Sequence, residues 1–226
     1  MNKFLKITGI SLLTIGLAAC SVTKESANEQ TEQSSDPTIQ VLASFYPMYD
    51  FTRNVVGNEG NVELLMPAGT DSHDYEPSAK DMAKIQEADV FVYNNENMEM
   101  WVPAIESTLK EGDVTVVKAT EGMVLLPGDE EHDHDHEHDH EEGHSHELDP
   151  HVWLAPSLAI KQVASIRDQL SRAYPEKKAA FERNAAAYLE KLQSLDDSYQ
   201  SAFKNAKQTH FVTQHAAFGY LALEYG

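Results

Sequence analysis

This 226-residue sequence holds a single cysteine, Cys20. One thiol excludes an internal disulfide and any structural zinc site built from cysteines. Basic residues are scarce as well: 17 Lys and Arg against 37 Asp and Glu leave a formal net charge of -20. A protein that binds nucleic acid through its phosphates needs basic surface, so that class is excluded. The leading apolar run, Ile7 to Leu17, is too short to span a membrane. Also missing are a His-Glu-x-x-His helix, a Gly-x-Ser-x-Gly elbow and a phosphate-binding glycine loop. With no general base placed beside a nucleophile or water, the chain does not read as an enzyme. Between Pro175 and Gly219 there is neither glycine nor proline, so nothing in that stretch need interrupt a helix.

Histidine, by contrast, is abundant. His132, His134, His136, His138, His140, His144 and His146 lie within residues 129–149, which carry eleven Asp or Glu and no Lys or Arg. Alternating imidazoles and carboxylates define no single tetrahedral cage, but they offer many interchangeable weak sites for a divalent cation. The segment is therefore expected to be an auxiliary metal collector that raises the local concentration of the ion; the plainer alternative is a solvated, dispensable loop. Three further histidines each sit in a short motif of their own: Asp71-Ser72-His73-Asp74-Tyr75-Glu76-Pro77, Asp149-Pro150-His151-Val152-Trp153-Leu154 and Thr213-Gln214-His215-Ala216-Ala217-Phe218. Neutral imidazole is the commonest protein ligand for zinc and its neighbours. The carboxylates beside His73 could orient its ring, and His210 is expected to be structural.

The first 20 residues read as a targeting segment. Lys3 and Lys6 precede the apolar run, and Leu17-Ala18-Ala19-Cys20 closes it in the manner of a bacterial lipobox, where the cysteine is acylated. A plain secretory signal with an incidental cysteine is the alternative. Residues 21–38 are polar, lack aromatics and read as a flexible tether.

From residue 39 the pattern is globular. Strands are expected over Ile39 to Phe45, Val62 to Met66, Asp89 to Tyr93 and Val114 to Lys118, and helices over Tyr46 to Val56, Ser78 to Ala88, Met98 to Leu109 and Ser157 to Tyr174. Alternation of that kind argues for an α/β fold with a parallel sheet flanked by helices. Ligands in such folds bind beyond the carboxyl ends of the strands. Residues 39–174 form the expected N-terminal metal-binding lobe, with the acidic loop inside it. A linking helix over 175–207 follows, with Phe181, Ala185, Tyr188, Leu192, Leu195, Tyr199 and Ala202 as one apolar stripe. Residues 208–226 are expected to start a C-terminal lobe with a strand over Thr209 to Gln214 and a helix over Ala216 to Tyr225. One strand and one helix cannot bury a sheet face, so this lobe is expected to be incomplete.

Taken in order, these motifs resemble the metal-specific solute-binding lipoproteins of bacterial ABC importers, the cluster A-I (cluster 9) family, and within it the zinc-binding branch of AdcA/ZnuA type. The resemblance runs from the lipobox through the His73 loop, the His-rich insert, His151-Val152-Trp153-Leu154-Ala155-Pro156 and the long helix to Gln214-His215-Ala216-Ala217-Phe218-Gly219-Tyr220. It implies two lobes joined by one rigid helix, with metal in the cleft between them. His73 and His151 would be ligands from the first lobe and His215 the first from the second. The family adds a carboxylate from later in the second lobe; this sequence ends before it, which implies a C-terminal truncation. Manganese- and iron-binding relatives carry glutamate at the position of His215, and three imidazoles suit zinc better than manganese. The implied protein is a monomeric extracytoplasmic Zn2+ receptor, anchored through lipidated Cys20 to a bacterial, Gram-positive membrane and delivering its ion to an ABC permease. A manganese or iron receptor, a surface adhesin and a passive metal buffer are the alternatives.

Overall fold

The computed structural model describes residues 38–128, 148–208 and 210–226. The signal segment with Cys20, the tether up to residue 37, the seven histidines of the acidic loop and Thr209 lie outside the described residues. Four strands, β1 (Ile39–Ala43), β2 (Gly60–Leu64), β3 (Val90–Tyr93) and β4 (Thr115–Lys118), form one wholly parallel sheet in the order β2-β1-β3-β4. Six helices accompany them: α1 (Tyr46–Val56), α2 (Ala79–Glu87), α3 (Val102–Glu111), α4 (Pro156–Ala173), α5 (Lys178–Lys204) and α6 (Gly219–Tyr225).

Side-chain alternation along the strands sorts the core into two layers, as a period of two requires. Ile39, Val41, Ala43, Val90, Val92 and Val117 face a core completed by α1, α4 and α5, with Met48, Val55, Ile166, Leu170 and Phe181. Leu42, Phe91 and Tyr93 face the other way, onto Ile85 of α2 and Val102 and Leu109 of α3. Both faces of the sheet are covered, as its near-continuous apolar strands demand.

Local signals account for most boundaries. Ser78 and Asp81 form a reciprocal capping box that starts α2. Pro103 and Pro156 occupy first-turn positions of α3 and α4, where a missing N–H costs nothing. Gly57 stops α1 at φ +57°, and a Cβ there would lie 2.5 Å from Asn184 Nδ2. That amide has a use: it donates to the carbonyls of Val55 and Val56, the open end of α1.

Three expectations are corrected. The strand expected over Thr209 to Gln214 does not form; residues 210–214 are irregular and exposed. A strand needs a ladder partner, and none is supplied there among the described residues. The stripe of α5 departs from the expected one after Leu192: Leu195 and Ala202 are exposed, and the inward line continues through buried Asp196, Tyr199 and Phe203. Steps of four, three and four keep pace with 3.6 residues per turn, whereas the alternation read from the sequence drifts off the face. Finally, α3 begins at Val102 rather than Met98, the intervening residues forming turns.

The order β2-β1-β3-β4 reverses direction between β1 and β3, the central pair. The carboxyl ends of these strands are where such a sheet opens a crevice for a ligand. The His73 loop leaves β2, and the segment ending at His151 lies after β4.

Candidate metal centre

Three remote histidines meet at this end of the sheet. His73 belongs to the β2–α2 loop, His151 precedes a 3-10 turn (Val152–Leu154) that leads into α4, and His215 lies in the irregular stretch before α6. The Nε2 atoms of His73 and His151 are 3.1 Å apart, and those of His215 and His151 are 2.9 Å apart. One nitrogen from each ring lies within 4.8 Å of the others. His151 is buried, His73 half-buried and His215 exposed, so the trio has a closed floor and an open rim.

Two of the rings are placed by the same local device. Asp71 Oδ1 accepts the backbone N–H of His73 at 2.9 Å, and Asp149 Oδ1 accepts the backbone N–H of His151 at 2.9 Å. Each aspartate stands two residues before its histidine and folds the backbone into an Asx turn. Asp149 does more, since Oδ1 also lies 2.8 Å from His151 Nδ1. The ring therefore donates its Nδ1 proton to the carboxylate, which leaves the Nε2 lone pair free to face the other two imidazoles. The carboxylates expected from the sequence to orient a ring are those around His73; the orienting role of Asp149 emerges from the structure. The repeated Asp-x-His tripeptide was the signal that pointed to it.

Below the histidines lies a buried polar network that no motif announced. Glu99, 1% exposed, accepts from Ser44 Oγ at the end of β1 and from the backbone N–H groups of Asn94 and Asn95 at the end of β3, at 3.0 and 3.1 Å. Burial raises its pKa to about 7, against the lowering effect of those donors. Asn94 then donates through Nδ2 to the carbonyl of Pro150 at 2.8 Å and accepts from Gln162 Nε2 of α4 at 2.8 Å. This chain of contacts links the central strand ends to the residue next to His151. Trp153 packs edge-on against Phe45, with ring centroids 4.9 Å apart, and fixes the same segment from the apolar side.

Nitrogen lone pairs do not face one another at about 3 Å unless a proton or a cation lies between them. Zinc held at its usual 2.0–2.1 Å by tetrahedral imidazoles sets nitrogens about 3.3 Å apart. The two pairs that share His151 are close to that spacing, and the donors are of the type zinc prefers. His210 is exposed and stands outside the trio. The seven histidines of the acidic loop lie outside the described residues.

A family model matches residues 41–226 of this sequence. The chain belongs to the ZnuA family, zinc-uptake complex component A periplasmic. Among ZnuA-family relatives, the zinc-binding lipoprotein AdcA of Streptococcus pneumoniae R6 is 56% identical over 220 residues, which is 96% of this chain but 41% of that protein. The high-affinity zinc uptake system protein ZnuA of Bacillus subtilis 168 is 45% identical over 223 residues, covering 99% of this chain and 70% of the relative. A crystal structure of Zn(II)-bound AdcA from Streptococcus pneumoniae superposes with a TM-score of 0.75 at 55% identity, over 84% of this chain and 38% of that one. This ZnuA-family chain thus spans less than half the length of its AdcA relatives. The expected fold class, an α/β solute-binding architecture with a flanked parallel sheet, is the one observed.

Proposed function

We propose that this chain captures Zn2+ at the outer face of a bacterial membrane and hands it to an ABC importer. The observation that carries the reading is the convergence of His73, His151 and His215 on a single point, with Asp149 setting the tautomer of the central ring. Three neutral imidazoles present soft-to-borderline nitrogen donors, which suit zinc better than manganese. The reading is one of capture and release, with no bond of a substrate made or broken. An exposed His215 serves release as well as capture, since the ion can leave from the rim while His151 stays fixed in the floor. The family match and the zinc-binding names of the relatives support the same assignment.

In this reading Cys20, once lipidated, tethers the domain beside its permease, and His132 to His146 gather ions from the surroundings. Among the described residues no helix is long and apolar enough to cross a membrane; the attachment proposed here is the lipid on Cys20. The test is a zinc titration of the chain against a chelator of known affinity, with His151→Ala and a manganese competition alongside. One tight site that His151→Ala abolishes, and that manganese does not displace, is the expected result. Tight binding that survives His151→Ala overturns the assignment of the site. Preferential displacement by manganese overturns the choice of metal.

A further inference from the structure

Tyr220 stands five residues after His215, in the first turn of α6, and is 3% exposed. Its ring packs with Val152, Ala155 and Leu158, against Met123, Leu125 and Leu126 at the edge. Its hydroxyl donates to the carbonyl of Asp149 at 2.7 Å and accepts the N–H of Leu126 at 2.9 Å. Leu126 and Asp149 are already joined, because the Asp149 N–H donates to the Leu126 carbonyl at 2.8 Å beside an antiparallel bridge between Pro127 and Leu148. One phenol thus spans the clasp where two distant stretches of chain meet, and it reaches that clasp from the segment that bears His215.

The segment needs such a tie. Residues 210–216 are exposed and form neither helix nor strand, so α6 must hold His215 in place. That helix has seven residues and is anchored at its far end by Tyr225, whose hydroxyl donates to Asp196 of α5. Tyr225 keeps the helix on the body of the protein, whereas Tyr220 bonds to the residue that orients His151.

Resting on the zinc reading above, we propose that Tyr220 is a positioning residue for the metal centre: its hydroxyl fixes Asp149, and hence the His151 ring, in register with His215. The ring and its apolar packing survive replacement by phenylalanine, so Tyr220→Phe isolates the hydroxyl. Partners that orient metal ligands from behind are worth about 10- to 100-fold in affinity. Tyr220→Phe in the full chain should therefore weaken zinc binding about tenfold, and it should alter the visible absorption of bound Co2+, which reports coordination geometry. Tyr225→Phe, which loosens the far end of the helix without touching Asp149, should cost clearly less affinity than Tyr220→Phe.

The decisive comparison is made in a His215→Ala background. If the hydroxyl acts by holding His151 and His215 in register, its removal costs little once His215 is gone. An equal loss in both backgrounds overturns the proposal, as does wild-type affinity and Co2+ absorption in Tyr220→Phe. So does a Tyr225→Phe variant that reproduces the whole defect, because a loosened helix would then be sufficient cause. A wild-type chain with no tight zinc site overturns the zinc reading and this inference together, whereas failure of the register alone leaves the zinc reading standing.

Discussion

Asp149 works on His151 twice, through the backbone N–H and through Nδ1, and both contacts are lost together in Asp149→Ala. Zinc affinity in that variant should fall about 10- to 100-fold. Asp149→Asn retains a carbonyl oxygen for both donors and should lose less; competition titration against a chelator measures the difference. Equal affinity in wild type and Asp149→Ala would show that the carboxylate does not orient the ring. Glu99 gives a second residue-scale prediction, in the metal-free chain. Its ordinary pKa of 4.5 rises to about 7 in the folded protein through burial. Between those values the folded state holds a proton that the unfolded state has released, so stability falls as pH rises through this window and stays lower above it. The swing is on the order of 3 kcal/mol. Glu99→Gln cannot ionise and should remove it, though its amide nitrogen faces the Asn95 N–H and costs one hydrogen bond. Urea unfolding at pH 5 and pH 8 checks this: the wild type should be the more pH-dependent of the two. At this scale the three histidines were legible because each lay in a distinctive motif. Glu99 was not, because its partners Ser44, Asn94 and Asn95 come from two strand ends that only the sheet brings together, and Tyr220 was not, because its partners Leu126 and Asp149 lie about 70 to 95 residues away in sequence.

Among the elements, the join between α1 and α5 is the most exposed to a single change. Gly57 has a positive φ of 57°, which an L side chain adopts with strain, and a Cβ would press on the Asn184 amide that closes the end of α1. Gly57→Ala combines these two faults and should destabilise the chain by about 1–3 kcal/mol. Asn184→Ala removes the cap without the strain and should cost less, about 1 kcal/mol. Denaturant midpoints of the two variants test the order; a Gly57→Ala midpoint at or above that of Asn184→Ala would refute it. Elements of this kind were readable in advance wherever local chemistry sets them. The capping box at Ser78, the glycine stop after Val56 and the short apolar runs of β1 and β3 needed no tertiary information. The strand expected at Thr209 to Gln214 failed because Phe211 and Val212 supply strand propensity but no neighbouring strand among the described residues supplies hydrogen bonds, and both side chains are exposed. The α5 stripe was misplaced after Leu192 because buried Asp196 reads as a solvent-facing position; only the hydroxyl of Tyr225 and the amides of Gln193 and Gln200 make an inward carboxylate tolerable.

For the molecule as a whole, the candidate site joins three stretches of chain: the β2–α2 loop, the segment into α4 and the stretch before α6. An ion bound there is bound only when all three are folded together, so zinc should act as a stabiliser of the entire chain. At a free concentration 100-fold above the dissociation constant the gain is about 2.7 kcal/mol, which for a chain of this size raises the melting temperature by about 5–10 °C. Chelation should reverse the rise. A chain lacking residues 132–146 should show the same rise while binding fewer ions in total, because weak sites add capacity without linking the three stretches. His215→Ala should keep part of the rise, since His73 and His151 still close one pair, whereas His151→Ala should lose nearly all of it because the ring common to both short contacts is gone. Protons compete for the same lone pairs, so the rise should shrink as the solution is acidified. Calorimetric scans with and without zinc, across the variants and two pH values, test the ranking. A zinc-dependent rise that vanishes with residues 132–146 but survives His151→Ala would transfer the stabilising site from the three histidines to the acidic loop.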